Sequence, residues 1–434
     1  MDVIIKIIQV ILALSVLVLV HELGHFCFAK MFKIRVEKFY LFFDWGFSLF
    51  KWKPKNSETE YGIGWLPIGG YCKISGMVDE SMDGDSLKNE PQPWEFRSKP
   101  AWQRLLVLAG GVIFNFLLAI IIYIILLLGW GETYIKNSDA AIYTSQLARE
   151  MGFRDGDRII SFDDYTPDDF GSLSADLLHE QAETATVLRN GDTVEISLGN
   201  DYIPKMLDYK QPIFGVAIPF VIAEIPEDSP NKGLLMPGDS LTAIDGKEMT
   251  YLQDVRKYLS EHRDTTVELS MIRDGAPVNI EAKVDTAGLI QVMTRMPKIT
   301  TKDYDFLTAI PAGIKLTFST IGSYIKELKL VFNPETEAYK EVGSVISIGS
   351  IFPEKWDWFR FWSISALLSI MLGVMNLLPI PGLDGGHILF TLYEMITRHK
   401  PSDKFLMRAQ AVGMLLLIMI IFLAFWNDLR NFVF

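Results

Sequence analysis

Cysteine is almost missing from this chain: Cys27 and Cys72 are the only two in 434 residues, and neither falls between 132 and 357. No disulfide framework can hold that stretch, and a bond between the two is not expected. Basic residues are scarce in the same stretch, with 22 Lys and Arg against 37 Asp and Glu, whereas the rest of the chain holds 19 against 16. A surface of that sign excludes nucleic acid as a partner, because phosphate contacts need concentrated Lys and Arg. The N-terminus lacks the basic start and small-residue cleavage site of a signal peptide, so its apolar run is expected to be retained. Polar residues are thin overall: 49% of the chain is hydrophobic and the mean hydropathy is positive, which excludes an ordinary soluble enzyme.

What is present is four apolar runs long enough to cross a bilayer, where about 20 residues rising about 1.5 Å each span about 30 Å. They cover residues 3–28, 105–130, 361–378 and 411–426. The short connections 30–35, 97–104 and 398–408 are rich in Lys and Arg, and Asp2, Glu132, Asp357 and Asp428 lie near the opposite ends. The positive-inside rule therefore places residues 33–100 in the cytoplasm and both termini and the acidic block outside it. Trp130, Trp356, Trp358 and Trp426 form the expected outer aromatic belt.

The acidic block repeats itself. Gly152-Phe153-Arg154-Asp155-Gly156-Asp157 followed by Arg158 to Asp163 is answered 82 residues later by Gly233 to Gly238, Asp239 and the run to Gly246. Arg189-Asn190-Gly191 is answered by Arg273-Asp274-Gly275 at an offset of 84. Each copy alternates apolar and polar residues around Gly and Asp turns, the pattern of a β-rich module. Each resembles a PDZ domain; the first copy has Asp164 where the turn glycine belongs. Two unrelated β-hairpins are the plainer alternative.

The chemistry lies in the apolar parts. Val20-His21-Glu22-Leu23-Gly24-His25 closes the first run, and on a helix residues four apart share one face. Both imidazoles can then bind one metal ion while Glu22 serves as general base, the arrangement of a zinc hydrolase. Ionisable groups in a membrane helix cost roughly 2.5–3.5 kcal/mol each and persist mainly where they serve a site. A capping cluster at the interface would explain the charge but not the spacing. Two histidines leave zinc short of ligands. The third run breaks at Asn376-Leu377-Leu378-Pro379-Ile380-Pro381-Gly382-Leu383-Asp384-Gly385-Gly386-His387, where prolines and glycines cannot continue a helix. Irregular backbone at membrane depth is tolerated only where it faces protein or a watery cavity, and Asp384 is the carboxylate carried there. A loop at the membrane surface with Asp384 as the N-cap of the next helix is the alternative.

With these residues in place, nearly the whole chain resembles the site-2 proteases, in particular the bacterial membrane proteases that regulate extracytoplasmic sigma factors. The resemblance implies zinc as cofactor, His21, His25 and Asp384 as its ligands, Glu22 as catalytic base and Asn376 as a polar residue held near substrate or metal. His387, one turn from Asp384, is expected to stand behind the ligands. Residues 60–71, with Gly62 and Gly64, resemble the re-entrant β-structure of the family and are expected to contact substrate; Asp44 replaces one glycine of the family's Gly-x-Gly and Gly46 is kept. Residues 109–116 resemble its second-helix motif with Gly111 in place of proline. There Asn115 is expected to contact substrate or to make a buried hydrogen bond between helices.

The expected architecture is a four-helix polytopic membrane core with a re-entrant β-structure and two inserted PDZ-like modules. It divides into core residues 1–131, modules 132–215 and 216–296, a connecting segment 297–357 with a partly amphipathic helix, and core residues 358–434. The expected activity is peptide-bond hydrolysis by an intramembrane zinc metalloendopeptidase of a bacterial inner membrane, on transmembrane proteins already trimmed by another protease. Anti-sigma factors and remnant signal peptides are the candidate substrates. The rival is an inactive membrane scaffold that binds peptides through its modules.

Overall fold

The computed structural model describes residues 2–77, 90–199, 201–209 and 211–432. They form two compact units, Met1–Gly131 with Asp303–Phe434, and Glu132–Lys302.

The first unit is built on helices α1 (Asp2–Met31) and α2 (Ala101–Trp130), α3 (Phe306–Phe332) and α4 (Val345–Ile351), and α5 (Trp358–Leu377), α6 (Asp384–Thr397) and α7 (Asp403–Phe432). Four of these, at Val3–Met31, Ala101–Trp130, Trp358–Leu377 and Lys404–Asn431, are long and apolar enough to cross a membrane. They are the four expected runs, the second and fourth extended by a turn or more beyond the purely apolar stretch. Their outward faces carry bare apolar side chains such as Ile121, Ile125, Leu415 and Phe422, as lipid requires. α3 begins at a capping box, Asp305 with Thr308, which satisfies the first free N–H groups. It does not stand apart as a surface helix: Tyr324 is buried with Tyr123, Ala366 and Ile370, and Gly313 lies against Ile124.

Asp428, near the end of α7, is 1% exposed and accepts bonds from the backbone N–H groups of Ser344 and Ser347 at 2.9 and 3.2 Å, and from both hydroxyls. Asn427 donates to the carbonyls of Tyr339 and Val342, both at 3.0 Å. A carboxylate buried at the N-terminus of α4 is stabilised by the unpaired N–H groups there. It pins the end of the fourth span to the connecting segment.

Between α1 and α2 the chain forms β1 (Val36–Trp52) and β2 (Glu60–Ile74), two long strands that bend and pair with each other more than once. Residues 38–41 are matched to 70–73 on one side and to 60–63 on the other, and residues 48–52 return to 61–64. The edges of this sheet are therefore 70–74 and 48–52. Its far turn is strongly aromatic: Trp45 is 82% exposed, and Phe47 stacks on Trp65 at 5.6 Å.

In the second unit the sequence repeat becomes a structural one. Ser240–Ile244, Thr266–Arg273 and Ala276–Lys283 are adjacent strands, as are Arg158–Phe162, Thr184–Arg189 and Asp192–Ser197. Each copy packs an equivalent helix, Leu173–Glu180 or Leu252–Glu261, whose apolar residues, Leu177 or Val255 and Leu259, are buried. In the first copy Arg189 bonds both oxygens of Asp157 at 2.8 and 2.7 Å and the carbonyl of Gly152 at 2.9 Å. In the second, Arg273 makes the same three bonds to Asp239 and Leu234 at the same three distances. Both aspartates are 1% exposed, so a bidentate partner is what makes their burial tolerable. Residues 300–302 pair with 132–134 and residues 293–294 with 222–224, so this unit runs on to Lys302 and the connecting segment starts at Asp303.

Candidate metal centre

Helix α1 turns His21 and His25 to one side, and α2 crosses it there at very short range. A Cβ on Gly24 would lie 2.1 Å from the carbonyl oxygen of Gly110, and one on Gly110 would lie 2.6 Å from that of Gly24. Small residues at a crossing allow backbones to touch. The contact brings α2 behind both rings. His25 Nδ1 lies 2.8 Å from the carbonyl oxygen of Val107, and His21 Nδ1 lies 3.2 Å from the Asn115 amide. Gly111 sits between them, and a Cβ there would lie 2.4 Å from His21 Cε1 and 2.6 Å from His25 Nε2. The rings occupy the space that a side chain at 111 would fill.

The third member arrives from the break after α5. Gly385 and Gly386 let α6 begin hard against residues 377–381, and Gly413 of α7 closes on Pro381 from behind. A bond from Arg104 to Glu394 at 2.5 Å ties α6 to α2. Asp384 is the first residue of α6, not its N-cap, and its Oδ2 lies 3.2 Å from His21 Nε2 and 3.4 Å from His25 Nε2. The two Nε2 atoms are 3.2 Å apart. Four-coordinate zinc with bonds of about 2.0–2.1 Å separates its ligands by about 3.3 Å, so these three atoms already stand at the edges of such a tetrahedron. Asp384 Oδ2 is a buried oxygen that no hydrogen bond satisfies, as an atom meant for a cation would be. Among the described residues, His21, His25 and Asp384 form the one cluster able to hold a metal ion.

Glu22 is half-buried on the same turn of α1. Burial, and then the Glu22 carboxylate, push the Cys72 thiol of the edge segment 70–74 up, and Gly70 of that segment lies against Val18 of α1. His387 is held by Gln410 of α7 and is not one of the converging ligands. Asn376 is half-buried in the last turn of α5, where the break begins. Two expected substrate contacts, Gly62 and Gly64, lie within the β1–β2 sheet. Gly62 is an interior position, paired with Tyr40 on one side and Lys51 on the other, and Gly64 backs onto Phe43. They are glycines because the Tyr40 ring and the Phe43 carbonyl pass over them, and the Gly62 backbone is flanked by strands on both sides. Val107 escaped the sequence reading, and Gly110 and Gly111 entered it only as part of the second-helix motif; the crossing of α2 over α1 gives all three their meaning.

The family model for peptidase family M50 matches residues 9–420. This chain belongs to that family. Its relatives include the Escherichia coli regulator of sigma-E protease RseP, 26% identical with 96% of this chain and 97% of that protein covered. The Yersinia pestis protease RseP is 27% identical over the same shares, and a Xylella fastidiosa protein with zinc metalloprotease in its name is 27% identical, again over 96% and 97%. Membership of the M50 peptidases makes this a metalloprotease of the site-2 type, and its four apolar helices make it a membrane protein.

The crossing at Gly24 gives a direct test of how the cluster is positioned. Gly24→Val should push α1 and α2 apart, at a cost of about 1–3 kcal/mol for overpacking. It should also weaken zinc retention at least tenfold as both rings lose their partners on α2. Zinc content and thermal unfolding of the purified variant check this; an unchanged zinc content would show that the crossing does not set the rings.

Proposed function

We propose that His21, His25 and Asp384 hold one zinc ion and that Glu22 is the general base of an endopeptidase that cuts transmembrane proteins. The carrying observation is the meeting of three ligand atoms at tetrahedral separations, with Asp384 Oδ2 buried and unsatisfied. Zinc bound there supplies Lewis acidity, which polarises a peptide carbonyl and acidifies water. The Glu22 carboxylate accepts a proton from the attacking water and returns it to the leaving amine nitrogen, so that water is consumed and an acid and an amine are released. A helical amide is sterically shielded, so the substrate must be locally extended. The edge 70–74, whose Gly70 lies against Val18 of α1, is a strand that can hold it by backbone pairing. Asn376, at the break, is placed to touch the extended chain. A purely structural metal is disfavoured by Glu22, which such a site would not need.

The two modules of residues 132–302 are read as PDZ-like domains outside the cytoplasm, with the metal site towards the cytoplasmic ends of the spans of a bacterial inner membrane. The distribution of Lys and Arg supports this orientation. The modules hold none of the cluster residues, so their contribution falls on the substrate's outer portion. An acidic pair of folded domains excludes proteins with bulky outer domains and admits trimmed ones, such as anti-sigma factors cut by another protease, or remnant signal peptides. The relatives named for sigma-E regulation support the first class. The full chain should therefore cleave a trimmed substrate and reject the untrimmed one. A variant with residues 132–302 replaced by a flexible linker, still inserted and zinc-loaded, should cleave both. If it cuts the trimmed substrate and still rejects the other, the gating role fails; if the full chain cuts neither, so does the substrate class.

A further inference from the structure

We infer that Asn115 fixes the proton of His21 on Nδ1, and thereby makes Nε2 a ligand, by accepting a hydrogen bond through its side-chain oxygen; this rests on the metal site proposed above. A neutral imidazole carries one proton, and the nitrogen that holds it cannot bind a metal. For His25 the question is closed by chemistry: its Nδ1 faces the Val107 carbonyl, which only accepts, so Nδ1 bears the proton and Nε2 keeps its lone pair. His21 has no such carbonyl. Its Nδ1 faces a side-chain amide 3.2 Å away, and an amide can donate or accept depending on which end it presents.

With the N–H₂ end facing His21, the ring proton would sit on Nε2, in the gap shared with His25 Nε2 and Asp384 Oδ2. The three groups would then bond to one another, and His21 could not ligate. With the oxygen facing it, Nδ1–H donates to Asn115 and Nε2 is free for the metal. The N–H₂ end stands 3.2 Å from Nδ1, and turning the amide exchanges its ends without moving any neighbour. The end pointing away from His21 is a buried oxygen without a partner, so the turn costs that oxygen no bond and gives it the Nδ1–H of His21. The rest of the residue is firmly held. Asn115 is 0% exposed, and its backbone carbonyl accepts from Ser369 of α5 at 2.8 Å, so three helices meet at this residue. It stands on the Nδ1 side of His21, away from the ligating atoms. That makes it a positioning residue and leaves it no access to substrate. α2 thus supplies one acceptor behind each histidine, Val107 from the backbone and Asn115 from a side chain.

The test exploits the difference between an acceptor and a donor. Zinc per chain is measured across a graded chelator series on the full-length chain in detergent, for the wild type, Asn115→Asp and Asn115→Leu. Asp keeps an acceptor and has no N–H; Leu keeps the volume and has neither. Asp should retain zinc at least as tightly as the wild type, and Leu should lose roughly 10- to 100-fold in affinity. Asp as weak as Leu would mean that the residue donates, and Leu as tight as the wild type would mean that it only packs; either overturns the inference. If Leu does not fold, Asp alone decides, since a donor role predicts loss and an acceptor role predicts retention. Zinc absent from the wild type would instead bring down the metal site itself, as would zinc kept by the His21→Ala/His25→Ala double variant.

Discussion

Glu22→Gln should leave one zinc per chain in place and lower cleavage of a trimmed substrate by roughly 10²- to 10⁴-fold, the usual worth of a general base. Gln has the shape of Glu, so α1 and its crossing with α2 are undisturbed and His21 and His25 keep their partners behind them. What is lost is a proton acceptor beside the converging ligand atoms. The loss should fall on turnover with substrate binding retained, because the carboxylate acts on the water and not on the polypeptide. Zinc analysis and single-turnover cleavage of the purified chain check both halves. Cleavage within a few-fold of the wild type would remove Glu22 from the chemistry, and loss of zinc would make it part of the metal's support.

The half of the site that local spacing determines was legible in the sequence. His21 and His25 follow from the helical period, and Asp384 from a break that a membrane span does not otherwise tolerate. The four spans were legible for the same reason, since length and apolarity are local properties. The repeat in the acidic block was legible as offsets of 82 and 84. Its physical content was not: the buried Asp157–Arg189 and Asp239–Arg273 pairs join residues more than 30 positions apart, and nothing local marks them as partners. Long-range crossings also hid the support of the site. Gly111 reads only as a departure from the second-helix motif until two imidazoles are seen to fill its space, and Asn115 reads equally well as substrate contact or interhelical bond until His21 is found against it. Gly62 and Gly64 were expected to contact substrate from the resemblance of their segment, and only the folding back of β1 reveals that strands flank Gly62 on both sides. The partly amphipathic pattern of the helix Phe306–Phe332 left its place open, and in the structure Tyr324, Ile321 and Leu328 pack against α2 and α5.

The second large effect concerns the metal. The imidazoles stand 3.2 Å from each other and 3.2 and 3.4 Å from Asp384 Oδ2, as ligands of one cation do. Removing one ring should therefore cost more zinc affinity than the 10- to 100-fold typical of an outer partner, and removing both should abolish binding. Asp384→Asn keeps the shape but exchanges an anionic oxygen for a neutral amide, so it should weaken zinc without eliminating it. The decisive measurement is zinc per chain, by elemental analysis of the purified full-length protein after exposure to a chelator. The account predicts about one zinc in the wild type and in Glu22→Gln, less in Asp384→Asn, and none in the His21→Ala/His25→Ala double variant. Full retention of zinc by the double variant would contradict it.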